Sequence, residues 1–472
     1  MRTLPNHRHG RISRPASRAT LAPFVSAPVF ATAALWLSLV APSQAQIADI
    51  DRLQQDLTPV GAERAGNGSD IPAWNGGLAE DSGPWPTPYH PDPFANETPV
   101  LLINSGNMAD HLERLTAGQQ KMLQRFPDYQ MQVYPSHRTA SYPQYVYDAI
   151  ATNAQRATLL EYGSGVSGAT MSSPFPIPEN GLEVLWNHTL RFRGHTVSYE
   201  AASSLITENG GRMDTVREYN YFFKYSQPGL EPQDLDNKVF LLTRETISPS
   251  HQAGSLTLVH ETLDQVRSPR KSWIYTAGSR RLRRTPDLAY DTPDPNTQSL
   301  RTIDQVDMFN GAPDYYDWTL IGKQEVYIPY NAYRVHQGGL TLDQILGEHH
   351  VNSSLLRYEP HRVWVIEANL RVGFNHKYTK RRYYLDEDSW SIVYAEEYDR
   401  HGELVQVTEG HLINYYDQQM VFTTLEVTYD FPSRRYYVEG IDNERGETFR
   451  FFDTGLGEKD FSTSAVRRKA RR

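Results

Sequence analysis

The chain of 472 residues contains no cysteine. It therefore has no structural disulfide, no thiolate metal site and no cysteine nucleophile, and it cannot be acylated on an N-terminal cysteine as a lipoprotein is. A secreted protein without disulfides depends on a large hydrophobic core. This suits the periplasm of a Gram-negative cell, while an extracellular destination stays open.

The sequence also lacks the motifs of common hydrolases and nucleotide-binding proteins. Gly165-Val-Ser-Gly168 has its second glycine one place too early for a nucleophile elbow. His260-Glu261 is not followed by the second histidine of a zinc-protease helix, and no glycine motif that cradles phosphate is present. We therefore predict a protein that is not an enzyme and needs no cofactor.

Two patterns come close to a metal site. Residues 348–350 (Glu-His-His) follow a helix-ending glycine, so a loop could join them, but we favour histidines at the surface or in hydrogen bonds. The acidic residues of 386–389 match the first positions of a calcium loop, and Glu397 matches the last. Because Trp390 and Ser391 occupy positions that need an oxygen ligand and a glycine, we predict a hairpin turn at 386–389 and no metal.

The charge balance argues against nucleic acid as a partner. The chain has 47 basic and 56 acidic residues. Five arginines lie within residues 1–45, so the remainder has 42 basic residues against 56 acidic ones, a net charge of −14. Such a surface repels nucleic acid and anionic lipid headgroups.

Residues 1–45 are predicted to be a secretory signal peptide. A basic head without acidic residues precedes the apolar residues 29–40, and Ser43 and Ala45 are the small residues that a signal peptidase requires. The apolar stretch is shorter than the roughly 20 residues of a membrane-spanning helix, and no later segment is apolar enough to span. We expect the mature chain to begin near Gln46 and to reside in the periplasm.

The mature chain divides into segments of different composition. Residues 46–99 are rich in proline and predict an extended arm, and their aromatic side chains indicate that the arm packs on the folded body. Residues 100–196 show helical periodicity, whereas residues 197–466 show the period of two that is typical of strands. Residues 467–472 form a basic tail that we expect to fray.

Three helices are predicted before the sheet. They cover residues 108–126, where Gln119 interrupts the apolar stripe, residues 141–163, and residues 181–190. A capping box at 341–344 predicts one more short helix inside the β-rich region.

The strands are predicted to form a large antiparallel meander in the same body as the helices. Turn residues separate the strands by short distances, so the fold class is mainly β with helices, α+β. After a first strand region near 219–225, the predicted strands are residues 239–247, 255–263, 271–277, 362–370, 377–385, 390–398, 404–408, 419–429 and 435–440.

Recognisable motifs occur at residues 58–67, 71–77, 186–194, 273–281, 304–309, 394–402, Tyr327-Ile-Pro-Tyr-Asn331 and Arg357-Tyr-Glu-Pro-His-Arg-Val-Trp364. Together these segments resemble a Gram-negative secreted family catalogued as domain of unknown function thirteen-twenty-nine. The resemblance implies a fold like that of the outer-membrane lipoprotein carriers LolA and LolB, which is a large curved antiparallel sheet or incomplete β-barrel closed by a helical lid. It implies no catalytic residues.

The implied barrel predicts a function in binding. An apolar inner face can shelter an acyl chain, since burial of each methylene contributes roughly 0.8 kcal/mol. We therefore predict a periplasmic carrier or sensor of a hydrophobic ligand, such as a lipid, a lipoprotein acyl chain or a sterol-like molecule. Trp273 and Tyr275 share one strand face and would line the cavity, while Arg280 or Arg281 would bind the headgroup. The simpler alternative, which we favour for Trp273 and Tyr275, is that they belong to the ordinary core.

Two other classes of protein stay open. The first is a structural or accessory protein that docks to an envelope transporter through the aromatic arm. The second is an envelope hydrolase, which the missing nucleophile and metal motifs argue against; loss of an activity in a His349→Ala variant would favour it.

Overall fold

Alternation of aromatic and polar residues produces the long strands on which the protein is built. The alternate rings of Tyr219, Tyr221 and Phe223 lie on one side, and neighbouring strands bring further rings to that side. The rings of Tyr199 and Tyr219 stack with their centroids 4.8 Å apart. The structure is a computed structural model that describes residues 50–79, 88–286, 290–446, 449–452 and 454–470, so the predicted signal peptide lies outside the described residues.

Each predicted strand of the meander is present, whereas the long strand at Tyr316–Pro329 and several short strands are not among the predicted ones. The strands are numbered in chain order. They are β1 (Leu101–Ile103), β2 (Met131–Val133), β3 (Thr158–Leu159), β4 (Val166–Ser167), β5 (Thr196–Ile206), β6 (Arg212–Phe222), β7 (Lys238–Ser248), β8 (Leu256–Thr262), β9 (Lys271–Thr276), β10 (Arg281–Arg284), β11 (Tyr316–Pro329), β12 (Tyr358–Leu370), β13 (Lys380–Asp386), β14 (Ile392–Tyr398), β15 (Leu404–Tyr415), β16 (Met420–Asp430), β17 (Arg435–Ile441) and β18 (Arg450–Phe451).

Sixteen of the strands form one sheet. Its two runs, β5 to β10 and β11 to β17, are joined where β17 pairs with β5. Among the described residues β10 pairs only with β9, and β11 pairs only with β12, so the sheet is open. The pairings are antiparallel except for one bridge between β2 and β12. The predicted class, mainly β with helices and an incompletely closed antiparallel sheet, is confirmed.

The helices flank this sheet, and two of the predicted helices are confirmed. Residues 181–190 form a helix, and the capping box at Thr341 opens a short one. The α-helices are α1 (Ala117–Arg125), α2 (Gln144–Arg156), α3 (Gly181–Leu190), α4 (Tyr333–His336), α5 (Leu342–Ile345) and α6 (Thr463–Lys469).

The first two predicted helices are wrong in extent. A 3-10 helix at Met108–Arg114 precedes α1, because Thr116 and Gln119 form a capping box that starts a new helix. Gln119 also donates from Nε2 to the Tyr327 carbonyl, 2.7 Å away, which explains a buried polar residue in an apolar stripe. The second helix, α2, ends at Arg156 rather than at 163.

In the described part of residues 46–99, aromatic side chains pack on the folded body. The Phe94 ring stacks on His137 with centroids 4.1 Å apart, and the Tyr89 hydroxyl donates to the Asp442 carbonyl at 2.8 Å. Because these rings are engaged by the body, they do not form a free docking surface. No helix in the described part of the chain reaches the length and hydrophobicity that a membrane crossing requires.

Helix α3 packs against β11 and β12 and fills the space there with its own side chains. Trp186 is buried and donates from Nε1 to the Gly163 carbonyl at 3.0 Å. His188 is also buried, and its Nδ1 accepts a hydrogen bond from the Ile392 amide. The ligand space that an incomplete barrel suggests is therefore not beneath α3.

Candidate functional site

The C-terminal segment, residues 456–470, lies across one face of the first run of strands. The Phe461 ring lies against Phe222 of β6, with centroids 6.1 Å apart. At the other end of the segment, the Tyr275 hydroxyl donates to the Ala470 carbonyl at 3.2 Å. The predicted fraying is therefore wrong up to residue 470, because α6 places Val466 in a buried position.

The register of β8 and β9 explains why this face is apolar. Leu256 lies opposite Tyr275, and Leu258 lies opposite Trp273. Since directly opposed residues of antiparallel strands share a face, the four side chains form one continuous surface. The His260 ring contacts Trp273 edge-on at 4.9 Å, and its Nε2 lies 2.8 Å from the Phe461 carbonyl. Burial lowers the pKa of His260, so the ring is neutral at this contact.

Between the C-terminal segment and the sheet is a groove of about 450 Å³. Leu256, Phe461 and Val466 give it an apolar lining, and Arg468 and Lys469 lie along it. This volume falls within the range of about 300–1,000 Å³ that is usual for small-molecule sites. An apolar lining beside two cations is suited to a molecule with a hydrocarbon part and an anionic group.

Carboxylates also surround the groove and set the charge of its rim. Lys469 forms ion pairs with Glu218 and with Glu245, the latter at 2.9 Å. Burial lowers the pKa of Lys469, but the two hydrogen bonds outweigh it, so the pKa is raised and the amine stays protonated. Asp460 lines the groove and accepts a hydrogen bond from the Gly457 amide. Arg468 is exposed at the rim.

The structure separates the four residues that the sequence proposed as a ligand site. Trp273 and Tyr275 pack beside the groove in one apolar cluster with Phe461, and neither is among its lining residues. Arg281 lies opposite Thr276, so it is on the other face of the sheet from Tyr275. Arg280 is in the turn between β9 and β10, with φ of 52°.

Sequence reasoning missed the two cations of the groove because they lie in a charge run at the chain end. A signal was present: Ser462 caps α6 by accepting a hydrogen bond from the Ala465 amide, and Val466 follows at helical spacing. These two features indicate a short docked helix rather than a frayed tail.

The rejected catalytic patterns do not assemble into sites. Ser167 lies in the hairpin of β3 and β4, with its Oγ 2.7 Å from Thr158 Oγ1. His349 is exposed and 3.9 Å from Glu348, whereas His350 is buried, so the three residues do not converge.

The calcium-loop pattern is resolved as the predicted hairpin. Strand β13 ends at Asp386, and β14 begins at Ile392. Glu397 lies far along β14, opposite Arg381. One group of side chains in the described part of the chain does have metal-ligand spacing, and it pairs Asp386 and its neighbour Asp388 with a histidine of β12 rather than with Glu397.

The fold and the groove define a mainly β protein built on one open antiparallel sheet, and the chain belongs to the family described as Protein of unknown function (DUF1329), whose model matches residues 102–467. The chain is 40% identical over 444 residues to the uncharacterized protein PA3922 of Pseudomonas aeruginosa, which covers 93% of this chain and 97% of that protein. The predicted family is therefore confirmed.

Two solved structures are similar to parts of the chain. A DUF1329 family protein from Desulfovibrio piger aligns with a TM-score of 0.38 at 13% identity, over 58% of this chain and 92% of that chain. The LolA superfamily protein NE2245 from Nitrosomonas europaea aligns with a TM-score of 0.33 at 13% identity, over 61% of this chain and 99% of that chain.

Proposed function

We propose that the protein is a non-catalytic carrier or sensor in the periplasm, and that it binds an amphiphile such as a lipid or a lipoprotein acyl chain in the groove beneath α6. The observation that carries this proposal is the apolar lining of the groove next to the exposed Arg468. The periplasmic location rests on the predicted signal peptide.

A second pocket in the same half of the sheet is less suited to a hydrocarbon chain. It has about 430 Å³, and most of its lining residues are charged or polar, among them Lys238, Asp264 and Arg267. Water solvates such a lining well, so displacing that water with the methylenes of a ligand gains little free energy. The groove beneath α6 is the better place for an acyl chain.

The groove can hold only part of a long lipid, which suits reversible binding. At roughly 0.8 kcal/mol per buried methylene, about ten methylenes give useful affinity without any covalent step. Arg468 is placed to bind a carboxylate, sulfate or phosphate headgroup through charge-assisted hydrogen bonds. The negative net charge of the remaining surface keeps the protein from binding anionic bilayers at other places.

The experiment is to extract the protein, purified from periplasm without detergent, with organic solvent and to identify lipids by mass spectrometry. We expect about one amphiphile per chain, and Ala465→Trp, which fills the groove, lowers that amount at least about tenfold. Ser464→Trp is the matched control, because Ser464 is the exposed neighbour of Ala465 on α6.

A wild-type extract without lipid, together with no binding of added palmitate, contradicts the proposal. Equal lipid content in the Ala465→Trp and Ser464→Trp variants contradicts the assigned groove. Loss of a protein partner but not of lipid after deletion of residues 58–99 would favour the accessory role at an envelope transporter.

A further inference from the structure

Three buried side chains converge at the turn between β13 and β14, away from the groove. Asp386 lies opposite Val363 of β12, so His361, two residues earlier on β12, shares its face. Asp388 follows Asp386 by two residues and returns to the same side. One ligand atom from each of His361, Asp386 and Asp388 lies within 4.8 Å of the others.

The neighbouring carboxylates already have cationic partners. Arg138 donates to both oxygens of Asp388, at 2.8 and 2.7 Å. Lys323 lies 2.7 Å from Glu387. Asp386 differs, since no salt bridge to a lysine or arginine is formed by its carboxylate within the described residues.

Two buried oxygens at this place lack a hydrogen-bond partner. They are Oδ1 of Asp386 and the hydroxyl of Tyr330, both among the described residues. Asp386 is fully buried, and its other oxygen accepts a hydrogen bond from the Ser389 hydroxyl at 2.7 Å. The Tyr330 ring lies 4.1 Å from that of His361. A buried carboxylate oxygen without a partner is costly, and a bound cation removes that cost.

The histidine is oriented as metal-binding histidines are. His361 Nε2 lies 3.2 Å from Glu359 Oε2, which leaves the second ring nitrogen for a metal ion. Glu359 is itself fixed by Arg357 at 2.6 Å and by Asn331 at 2.9 Å. A carboxylate behind the imidazole is the usual outer-shell partner that sets the tautomer and ring orientation of a metal ligand.

We propose that His361, Asp386 and Asp388 bind a buried divalent transition-metal ion, with Zn²⁺ as the ion that their chemistry fits best. Zinc takes imidazole and carboxylate ligands at about 2.0–2.2 Å, and three protein ligands leave a position for water or for Tyr330. Ca²⁺ prefers six to eight oxygen ligands, which this group does not supply. The three ligand atoms lie within 4.8 Å of one another, and Asp388 would bind the ion through an oxygen that also accepts a hydrogen bond from Arg138.

The ion would join segments that are distant in the sequence. Arg138, which binds Asp388, precedes α2, and Glu387 accepts a hydrogen bond from the Glu63 amide of the arm at 3.2 Å. The metal is therefore a structural ion that stabilises the arm and the helical segment on β12 and β13. This role does not depend on the amphiphile groove.

The test is the metal content of the full mature protein, produced in medium with added Zn²⁺, purified without chelator and dialysed against metal-free buffer. We expect about one Zn²⁺ per chain, and a content at least about tenfold lower in Asp386→Asn and in His361→Gln. Glu397→Gln is the matched control, because it changes a buried carboxylate outside the group and should keep the metal. A chelator that reaches the site should lower the melting temperature of the wild type but not that of Asp386→Asn.

Wild-type protein without stoichiometric Zn²⁺ or another divalent transition metal overturns the proposal, and this result needs no variant to fold. Retention of the metal by both Asp386→Asn and His361→Gln also overturns it. Stoichiometric Ca²⁺ that is lost in Glu397→Gln would overturn it in favour of the calcium-loop pattern. Lipid content measured on the same samples separates this outcome from failure of the proposed function.

Discussion

The two runs of strands that share the sheet are covered in different ways. Every residue of β14, an interior strand of the second run, is buried, whereas β11 at the edge of that run and β9 and β10 at the edge of the first run keep most residues exposed or half-buried. Helix α3 and the arm cover the second run, and the short α6 covers part of the first. We infer that the interior strands of the second run form the rigid scaffold and that the face of the first run beneath α6 provides the surface that can open to a ligand.

The largest loss of stability should follow from breaking a buried ion pair that holds the second run. Arg381 is fully buried, and its Nη1 donates to Asp304 at 2.8 Å. In Asp304→Asn the arginine keeps a buried charge without its counterion, so the free energy of unfolding should fall by about 3–5 kcal/mol. Urea denaturation measures this loss.

The control for that prediction is an exposed pair. Asp317 lies 2.7 Å from Arg371 at the protein surface, where the Asp317 side chain is exposed and that of Arg371 is half-buried. Asp317→Asn should change the free energy of unfolding by less than about 1 kcal/mol. Equal effects of the two substitutions would show that burial does not set the strength of these pairs.

Removing a buried ring from the contact between the C-terminal segment and the first run should release the segment without unfolding the scaffold. Phe461 is buried against Phe222 and Leu256 in a small separate cluster. Phe461→Ala should destabilise the packed C-terminal segment by about 3 kcal/mol. The main consequence should be local detachment of the segment from the sheet. Limited proteolysis should then cut within residues 456–470 while the remaining chain stays resistant. Cleavage throughout the chain would contradict the difference between the two runs.

The pH dependence of stability should come in part from Glu397 of the second run. Burial raises the pKa of Glu397 to about 7 from its ordinary 4.5, although the charge of Arg381 opposes the shift. Between these values the folded state holds a proton that the unfolded state has lost. Stability should therefore fall as pH rises through this window, by up to about 1.4 kcal/mol per pH unit.

Glu397→Gln removes this titration. The stability of the variant relative to wild type should increase from about pH 5 to about pH 7. Urea denaturation at both pH values measures the difference, and a difference that does not change with pH would contradict the raised pKa.

The smallest expected effects distinguish the two faces of the first run. Arg468 lies along the groove, whereas Arg281 is on the opposite face from Tyr275. Arg468→Ala should weaken binding of palmitate about fivefold, the loss of one exposed charge-assisted contact. Arg281→Ala should leave affinity unchanged within about twofold. Titration calorimetry measures both, and the reverse order would place the headgroup on the other face.

Local patterns predicted the elements of the fold better than their assembly. The strands after β11 and helix α3 follow from periodicity, because each keeps one regular face. Strand β11 was missed because a register shift between Leu320 and Gly322 breaks its alternation. The pairing of β17 with β5 joins distant segments, and no local pattern encodes it.

The candidate sites were predictable only in part for the same reason. The sequence indicated the apolar face of Trp273 and Tyr275, but only the register shows that Arg281 points away from it. The acidic residues at 386–388 were noticed as part of a calcium loop. Their histidine partner, His361, precedes them by 25 residues and is brought near by the pairing of β12 with β13.

Photo-cross-linking of a diazirine-bearing fatty acid to the purified protein, followed by peptide mapping, tests the central claim most directly. Cross-links should concentrate in residues 456–470 and in the facing parts of β6, β7 and β8, and Ala465→Trp should abolish them while Ser464→Trp retains them. Cross-links confined to other parts of the chain, or equal in both variants, would contradict binding beneath α6.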